Sequence, residues 1–491
     1  PNLLYALVTV LAVGALALAM GLELLPAVLA ALVAGSALLS LRVGIWLAPD
    51  ACLVAGNALA LLGVWRGYNA PVGWAKARGY ALMHTGAAIG FMAKSAPGWL
   101  VPGLALLTLI AWERRWSELR RPELYAGLLL QALIIGPWVA CVMTLTQGTG
   151  ALRTLFWNNV VGRFVQVQAP AALDYTSGHH NRAGKYLLEL PFYLLPWTLV
   201  AVAALRSAWH QARAPGGRAW RFALAACVPF LAILSVAATA RDVYAAPLLL
   251  GFAVLAGLWL QQLRNGADAF DRFCISGTRV LVAAMALVFI AAITVFGMSH
   301  TVNAPGCIVL GAAILGTGVL AWQRSSQAQR HADPGGSLAW CYTGYAAAVC
   351  LTALILLPVI DQWQDLGGLA RRIRADTDVR QLVLLDPDET TLAVLDHGFA
   401  MPVAALLSDA SGKERAVRAW FATQPASARV LVLLPGHASG KLRRWLAQYH
   451  AAADPGDGVA ATLVDAGAAR LVHRYELPQG RRYALLGPPA P

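Results

Sequence analysis

Charge is scarce in this chain. Asp, Glu, Lys and Arg together make up 13% of its 491 residues, against roughly a quarter in water-soluble domains. Acid is scarcer than base, with 25 acidic residues against 38 basic ones. This shortage excludes water as the main solvent of the whole molecule, and a mean hydropathy of +0.58 agrees. Cysteine is sparse as well. All seven (Cys52, Cys141, Cys227, Cys274, Cys307, Cys341 and Cys350) lie in or beside apolar runs, which speaks against a disulfide framework and against a CxxC metal site. The aromatic pattern of RNA-binding modules is missing too. The net charge of +13 comes from short basic clusters between apolar runs, the distribution of topogenic charges. No nucleic-acid partner is expected.

What fills the sequence is apolar. Uninterrupted apolar runs extend to Pro358, whereas Asp361 onward is rich in Arg, Asp and Glu. Two domains are expected: a membrane domain over 1–360 and a soluble domain over 361–491. A helix needs about 20 apolar residues to cross a ~30 Å hydrocarbon core. Twelve runs qualify as candidate spans, at about 3–21, 25–44, 50–65, 78–93, 97–112, 124–146, 187–205, 222–239, 244–262, 279–298, 304–322 and 339–360. Assigning the connections to alternating sides gives one side Arg66, Lys76, Arg78, Arg114, Arg115, Arg120, Arg121, Arg206, Arg213, Arg218, Arg221, Arg264, Arg272, Arg279, Arg324 and Arg330. That side is expected to be the cytoplasm. The soluble domain then lies outside, and an even count of spans puts the start of the chain outside as well.

Polar chemistry concentrates on the outer side. The loop from Gln147 to Tyr186 is too long for a simple connector. It contains GALRTLFWNNVVGRFVQVQ, where Leu152, Phe156, Asn159 and Arg163 fall at helical spacing, as an interfacial helix would. Farther on, Asp174, Tyr175, His179, His180, Asn181, Arg182 and Lys185 offer acceptors and cations suited to an anionic headgroup. A solvated loop meeting lipid phosphates is the plainer alternative. Adjacent His179 and His180 make no metal signature, because neighbours point apart. Three further charged positions lie at predicted outer span ends: Asp50, Lys94, and Arg241 with Asp242. They could converge on one cavity, since charges near the bilayer are costly. The bland alternatives are a helix N-cap for Asp50, a snorkelling anchor for Lys94 and a simple turn at Arg241–Asp242. Trp99, Trp112, Trp197 and Trp322 are read as headgroup-layer anchors.

Taken in order, LRVGIWLAPDACLVAGNALALLGVWR, GFMAKSAPGWLVPGLALLTL, NNVVGRF, HHNRAGKYLLELPFYLLPW and SVAATARDVYAAPLLLGFAVLAG resemble the polyprenyl-phosphate-dependent glycosyltransferases of the GT-C fold. That group includes the lipid A aminoarabinose transferase and the protein O-mannosyltransferases. The resemblance covers most of the chain. It implies a polytopic α-helical membrane protein of GT-C type, a sugar donor on a polyprenyl phosphate, and a lipid, glycan or protein acceptor at the outer face of a bacterial inner membrane. A departing polyprenyl phosphate needs cations; Lys94, Arg182 and Arg241 are the phosphate candidates, with His180 and Tyr244 as hydrogen-bonding substrate candidates. The resemblance also implies a first helix and an acidic first outer loop that have no counterpart here, so the chain is expected to lack its first helix. Asp50 is then the remaining catalytic candidate, and a divalent metal stays open as a cofactor. A transporter or lipid flippase with a periplasmic accessory domain is the rival class, although such proteins usually show midplane charges and repeated halves.

In the tail, strand-like runs (VRQLVLLD, MPVAALL, RVLVLLP) alternate with helical stretches (GKERAVRAWFATQ, GKLRRWLAQYH), which predicts a small α/β domain with a largely parallel sheet. Asp386, Asp388 and Glu389 follow the first strand and are expected to cap the next helix.

Overall fold

In the computed structural model the described residues are 1–46, 48–145, 150–153, 157, 182, 184–237, 241–299, 304–363, 365–378, 381–401, 403–408, 412–434, 458–477 and 481–489. They form two compact units, one of Pro1–Val288 with Ile314–Ala348 and one of Phe289–Ala313 with Val349–Pro491.

Helices run through the first unit in the order α1 (Asn2–Ala19), α2 (Leu24–Ser36), α3 (Leu38–Ile45), α4 (Asp50–Asn69), α5 (Trp74–Lys94), α6 (Pro97–Glu113), α7 (Pro122–Leu145) and α8 (Gly150–Arg153). Then come α9 (Lys185–Tyr193), α10 (Thr198–Gln211), α11 (Arg218–Ala225), α12 (Val228–Val236) and α13 (Leu248–Gln262). Parts of α14 (Ala269–Ser299), α15 (Ala304–Arg330) and α16 (Pro334–Trp363) belong to each unit. Each of the twelve predicted apolar runs coincides with a helix or a pair of helices. Among the described residues seven helical stretches are long and apolar enough to cross a bilayer. They are α1, α4, α7, the α11–α12 stretch, α14, α15 and α16. Counting the bent pairs α2–α3 and α9–α10 as spans makes nine. The protein is a multi-pass membrane protein.

The runs at 25–44 and 187–205 are bent where straight spans were expected. The first turns by 58° at Ala37, whose extended backbone frees the Leu38 N–H to donate to the Leu195 carbonyl at 2.9 Å. The second turns by 117° at the Leu194–Trp197 turn, where Pro196 has no N–H to continue a helix.

The tightest packing lies between α4 and α5. Gly67 on α4 faces Gly79 on α5, Gly63 faces Met83, and Gly56 faces Gly86 and Gly90. A Cβ placed on Gly63 would lie 2.1 Å from the Met83 backbone nitrogen, and one on Gly86 2.5 Å from that of Ala60. Both helices carry a small-xxx-small repeat (Gly63/Gly67 and Gly86/Gly90), the device by which membrane helices bring their backbones together. Trp197 is a correction to the anchoring assignment. It is fully buried, donates to Ser36 Oγ at 3.0 Å and packs edge-on against Tyr345. Trp99, Trp112 and Trp322 are partly exposed, as interfacial rings are.

The second unit holds a five-stranded sheet ordered β2 (Ala404–Leu406), β1 (Leu382–Leu385), β3 (Arg429–Leu434), β5 (Arg482–Gly487), β4 (Arg470–Glu476). β2, β1 and β3 are mutually parallel, and the β4–β5 hairpin joins β3 antiparallel, so the sheet is mixed where a largely parallel one was expected. β1 is apolar throughout because both its faces are covered. Leu382 and Leu384 join a core with Leu369 and Ile373 of α17 (Leu366–Asp376). Val383 and Leu385 join one with Val417 and Phe421 of α19 (Lys413–Ala422) and Leu463 of α20 (Gly458–Asp465). The predicted stretch GKLRRWLAQYH lies outside the described residues.

Asp388 precedes the short α18 (Glu389–Ala393). Its carboxylate accepts from the Thr391 hydroxyl and pairs with Arg481 at 3.0 Å. Asp386 ties β1 to the segment after β2, accepting from Ser408 N at 2.9 Å and Ser408 Oγ at 2.7 Å, with Lys413 Nζ at 3.2 Å.

Candidate active site at the Asp50 and Lys94 helix ends

Helix α4 starts at Asp50 directly after Pro49, and α5 ends at Lys94. The chain then reverses through Ser95, whose φ is +61°, into Pro97 at the start of α6. The close approach of α5 and α6 needs small residues, since a Cβ on Gly98 would lie 2.2 Å from the Phe91 nitrogen. This geometry brings Lys94 to the Asp50 carboxylate, with which it forms an ion pair. Asp50 caps no amide of its own helix. The Lys94 ammonium also stands over the Tyr244 ring, 4.2 Å from its centroid, a cation–π geometry. The carboxylate is nearly buried at 5% side-chain exposure, whereas Lys94 keeps 22%.

Tyr244 sits on the 3-10 turn Asp242–Ala245. Three contacts fix that turn. Asp242 accepts from its own Val243 N–H at 2.9 Å, Arg42 of α3 pairs with the Asp242 carboxylate, and the buried Tyr186 hydroxyl donates to the Arg241 carbonyl at 2.9 Å. The Arg241–Asp242 segment is thus a braced turn. The Arg241 side chain is exposed beside it. Arg182 is exposed as well, and its carbonyl accepts from Lys185 N at 3.1 Å. The neighbouring Gly184 N–H donates to the Ser235 carbonyl at the end of α12 at 3.3 Å, which ties this segment to that helix end. The structure therefore joins Asp50, Lys94 and Tyr244 directly and leaves Arg182 and Arg241 on flanking segments. His180 lies outside the described residues, as does most of the predicted interfacial helix.

Three residues of this region escaped the sequence reading. Arg42 and Asn57 were not singled out, and Tyr186 was named only as the end of the long loop. Asn57 lies two turns below Asp50 on the same face of α4, fully buried, with its amide 3.5 Å from the Pro97 carbonyl. A polar side chain seven residues from a span-end carboxylate was the available signal. Among the described residues no group of three His, Cys, Asp or Glu side chains could hold a metal ion.

A second polar cluster occupies the opposite, Arg-rich end of the same helices. Lys76, counted from sequence among the loop charges, is buried. Its ammonium reaches Glu118 at 2.5 Å and the Gly67 carbonyl at 2.8 Å, and Tyr80 donates to the same carboxylate at 2.6 Å. Arg115 stands 4.4 Å from the Tyr68 ring centroid, and Arg218 and Arg221 clasp Glu113 at 3.2 and 2.5 Å.

No family model matches the chain. Its curated relatives include the undecaprenyl phosphate-alpha-4-amino-4-deoxy-L-arabinose arabinosyl transferases of Pseudomonas paraeruginosa and Pseudomonas aeruginosa. The first is 30% identical over 234 residues, 48% of this chain and 40% of that relative. The second is 31% identical over 238 residues, again 48% and 40%. The matches thus span well under two thirds of the relatives' length. Among solved structures, ArnT from Cupriavidus metallidurans bound to undecaprenyl phosphate superposes over 99% of this chain and 83% of its own, with a TM-score of 0.62 at 16% identity. The chain has the fold of ArnT. Its apo structure superposes over the same shares with a TM-score of 0.60. Two independent likenesses therefore agree, one of sequence over half the chain and one of backbone over nearly all of it, and both support the GT-C resemblance.

Proposed function

We propose that this chain acts as a membrane glycosyltransferase that moves a sugar from a polyprenyl-phosphate donor to an acceptor at the outer helix ends. The observation that carries the reading is the Asp50–Lys94–Tyr244 cluster, a partly exposed ammonium held by a nearly buried carboxylate at a helix turn. It stands in a fold shared with a protein whose crystal structure holds undecaprenyl phosphate. In the inverting transfer an acceptor oxygen attacks the anomeric carbon, the carbon–oxygen bond to the phosphate breaks, and negative charge collects on the departing polyprenyl phosphate. Lys94 balances that charge, with Arg182 and Arg241 supplying further cations. Asp50 positions Lys94, Tyr244 fixes the ammonium's direction, and His180 joins the substrate contacts. The acceptor is a lipid A-like lipid, a glycan or a protein. The reading places the chain in a bacterial inner membrane with 361–491 as a periplasmic domain.

The test is undecaprenyl phosphate binding to the full chain in detergent, followed by transfer assays with lipid-linked sugar. Binding that weakens at least ten-fold in Lys94→Ala, with Lys94→Arg retaining part of it, supports the reading. Equal binding by wild type and Lys94→Ala overturns the site. Flux of a lipid-linked sugar across proteoliposomes without transfer would point instead to a transporter.

A further inference from the structure

Away from the outer cluster, a cavity of about 430 Å³ opens between α6, α10 and the α11–α12 break. Its walls are apolar, built from Leu205, Ala208, Leu224, Val228 and Pro229, and Trp112 and Trp209 stand at its rim. The rim is reachable from outside, since Trp112, Trp209 and Val228 are each more than 40% exposed. At its mouth the Arg213 guanidinium lies over the Trp209 ring, 3.8 Å from the centroid. Stacking of this kind leaves the planar N–H edge of a guanidinium directed outward for an oxyanion.

Three basic neighbours at this end carry carboxylate partners. Arg206 pairs with Asp268 at 2.7 Å, and Arg218 and Arg221 pair with Glu113. Among the described residues no carboxylate lies within 4 Å of Arg213. Its turn is nevertheless held in place, because Arg221 Nη1 donates to the Ala212 and Ala214 carbonyls at 2.8 and 3.3 Å. An apolar slot between membrane helices with a prefixed cation at its headgroup-level mouth has the charge and polarity of an anionic lipid in reverse.

We propose that this groove binds an anionic glycerophospholipid from the leaflet at the Arg-rich end, one acyl chain lying along α10 and the phosphate resting against Arg213. The site is remote from Asp50 and Lys94, and it stands independently of the transferase reading.

The test titrates the full chain in detergent with dioleoyl-phosphatidylglycerol or dioleoyl-phosphatidylcholine and reads lipid adducts by native mass spectrometry. The first phosphatidylglycerol adduct should bind more tightly than the phosphatidylcholine adduct. Arg213→Ala should lower phosphatidylglycerol affinity about five-fold and leave phosphatidylcholine unchanged, with Arg213→Lys keeping most of the preference. Thr108→Trp, which fills the groove wall, should remove the first adduct of both lipids. Should that variant fail to fold, dibrominated phosphatidylglycerol gives a second readout: it should quench tryptophan fluorescence less in Trp112→Phe/Trp209→Phe than in wild type. Equal affinity for the two lipids, a preference that survives Arg213→Ala, or quenching unchanged in the double variant would overturn the proposal.

Discussion

The two ends of the α4–α5 hairpin carry the same chemical pair in opposite settings. At the Arg-rich end Lys76 meets Glu118 with side-chain exposures of 2% and 1%, among Tyr80, Arg115 at 3.4 Å and the Gly67 and Tyr68 carbonyls. At the other end Lys94 meets Asp50 with exposures of 22% and 5%, and its ammonium stands over the Tyr244 ring. Burial decides what each pair is for. A desolvated ion pair surrounded by hydrogen-bonding partners costs heavily when broken and offers nothing to a ligand. A partly exposed ammonium held beside a nearly buried carboxylate can be reached by an anion.

That contrast can be broken most forcefully at Lys76. Lys76→Met leaves the buried Glu118 carboxylate only Tyr80 and the longer Arg115 pair and should destabilise the protein by about 3 kcal/mol, whereas Lys76→Met/Glu118→Leu should recover most of the loss. Thermal unfolding in detergent measures both, and equal instability of the single and double variants would refute the assignment. Lys94→Ala should lower the unfolding midpoint less than Lys76→Met does, because Lys94 keeps 22% exposure, while lowering transfer by about 10²–10³-fold, the usual cost of removing a group that stabilises developing negative charge. A parallel drop in stability would make the two ends alike after all.

The shared backbone of the hairpin gives a third test. Gly63→Ala places a methyl group where the Met83 backbone stands and should cost about 1–3 kcal/mol, lowering the unfolding midpoint and transfer together. The smallest effect is expected in the tail. Burial raises the Asp386 pKa, but the Ser408 amide and hydroxyl and the Lys413 ammonium outweigh it and hold the carboxyl below its usual range. A depressed folded value stabilises above the ordinary carboxylate pKa, and the gain is lost as pH falls through the folded value. Asp386→Ala should therefore speed hydrogen exchange of β1 and β2 amides at pH 7 by an amount on the order of 1 kcal/mol. The difference from wild type should close below about pH 4.

Much of this architecture was legible because a bilayer imposes a length and a polarity that a linear sequence cannot hide. All twelve apolar runs are helical, and β1, β2 and β3 lie inside the three strand-like runs. The β4–β5 hairpin was missed because β4 is almost wholly exposed and mixes Arg470, His473 and Arg474 with Leu471 and Val472, so no apolar run announces it. The bend at Ala37 was invisible because alanine breaks no helix; a carbonyl from Leu195 made the extended backbone there affordable. Asp50, Lys94 and Tyr244 were each legible as polar residues at span ends, but their meeting was not, since 44 residues separate the first two and Tyr244 lies on a distant turn.

Sequence alone determined the apolar helical segments, the basic clusters between them and the chemical types available near Asp50 and Lys94. These follow from composition and periodicity, which are local properties. Tertiary structure alone decided that Lys76 is buried and Lys94 is reachable, that Arg213 stands over an apolar groove while its neighbours are paired, and that Tyr244 covers an ammonium. Burial and pairing depend on which distant backbones approach each other, and here that was set by glycines on α4 and α5 that let two helices touch.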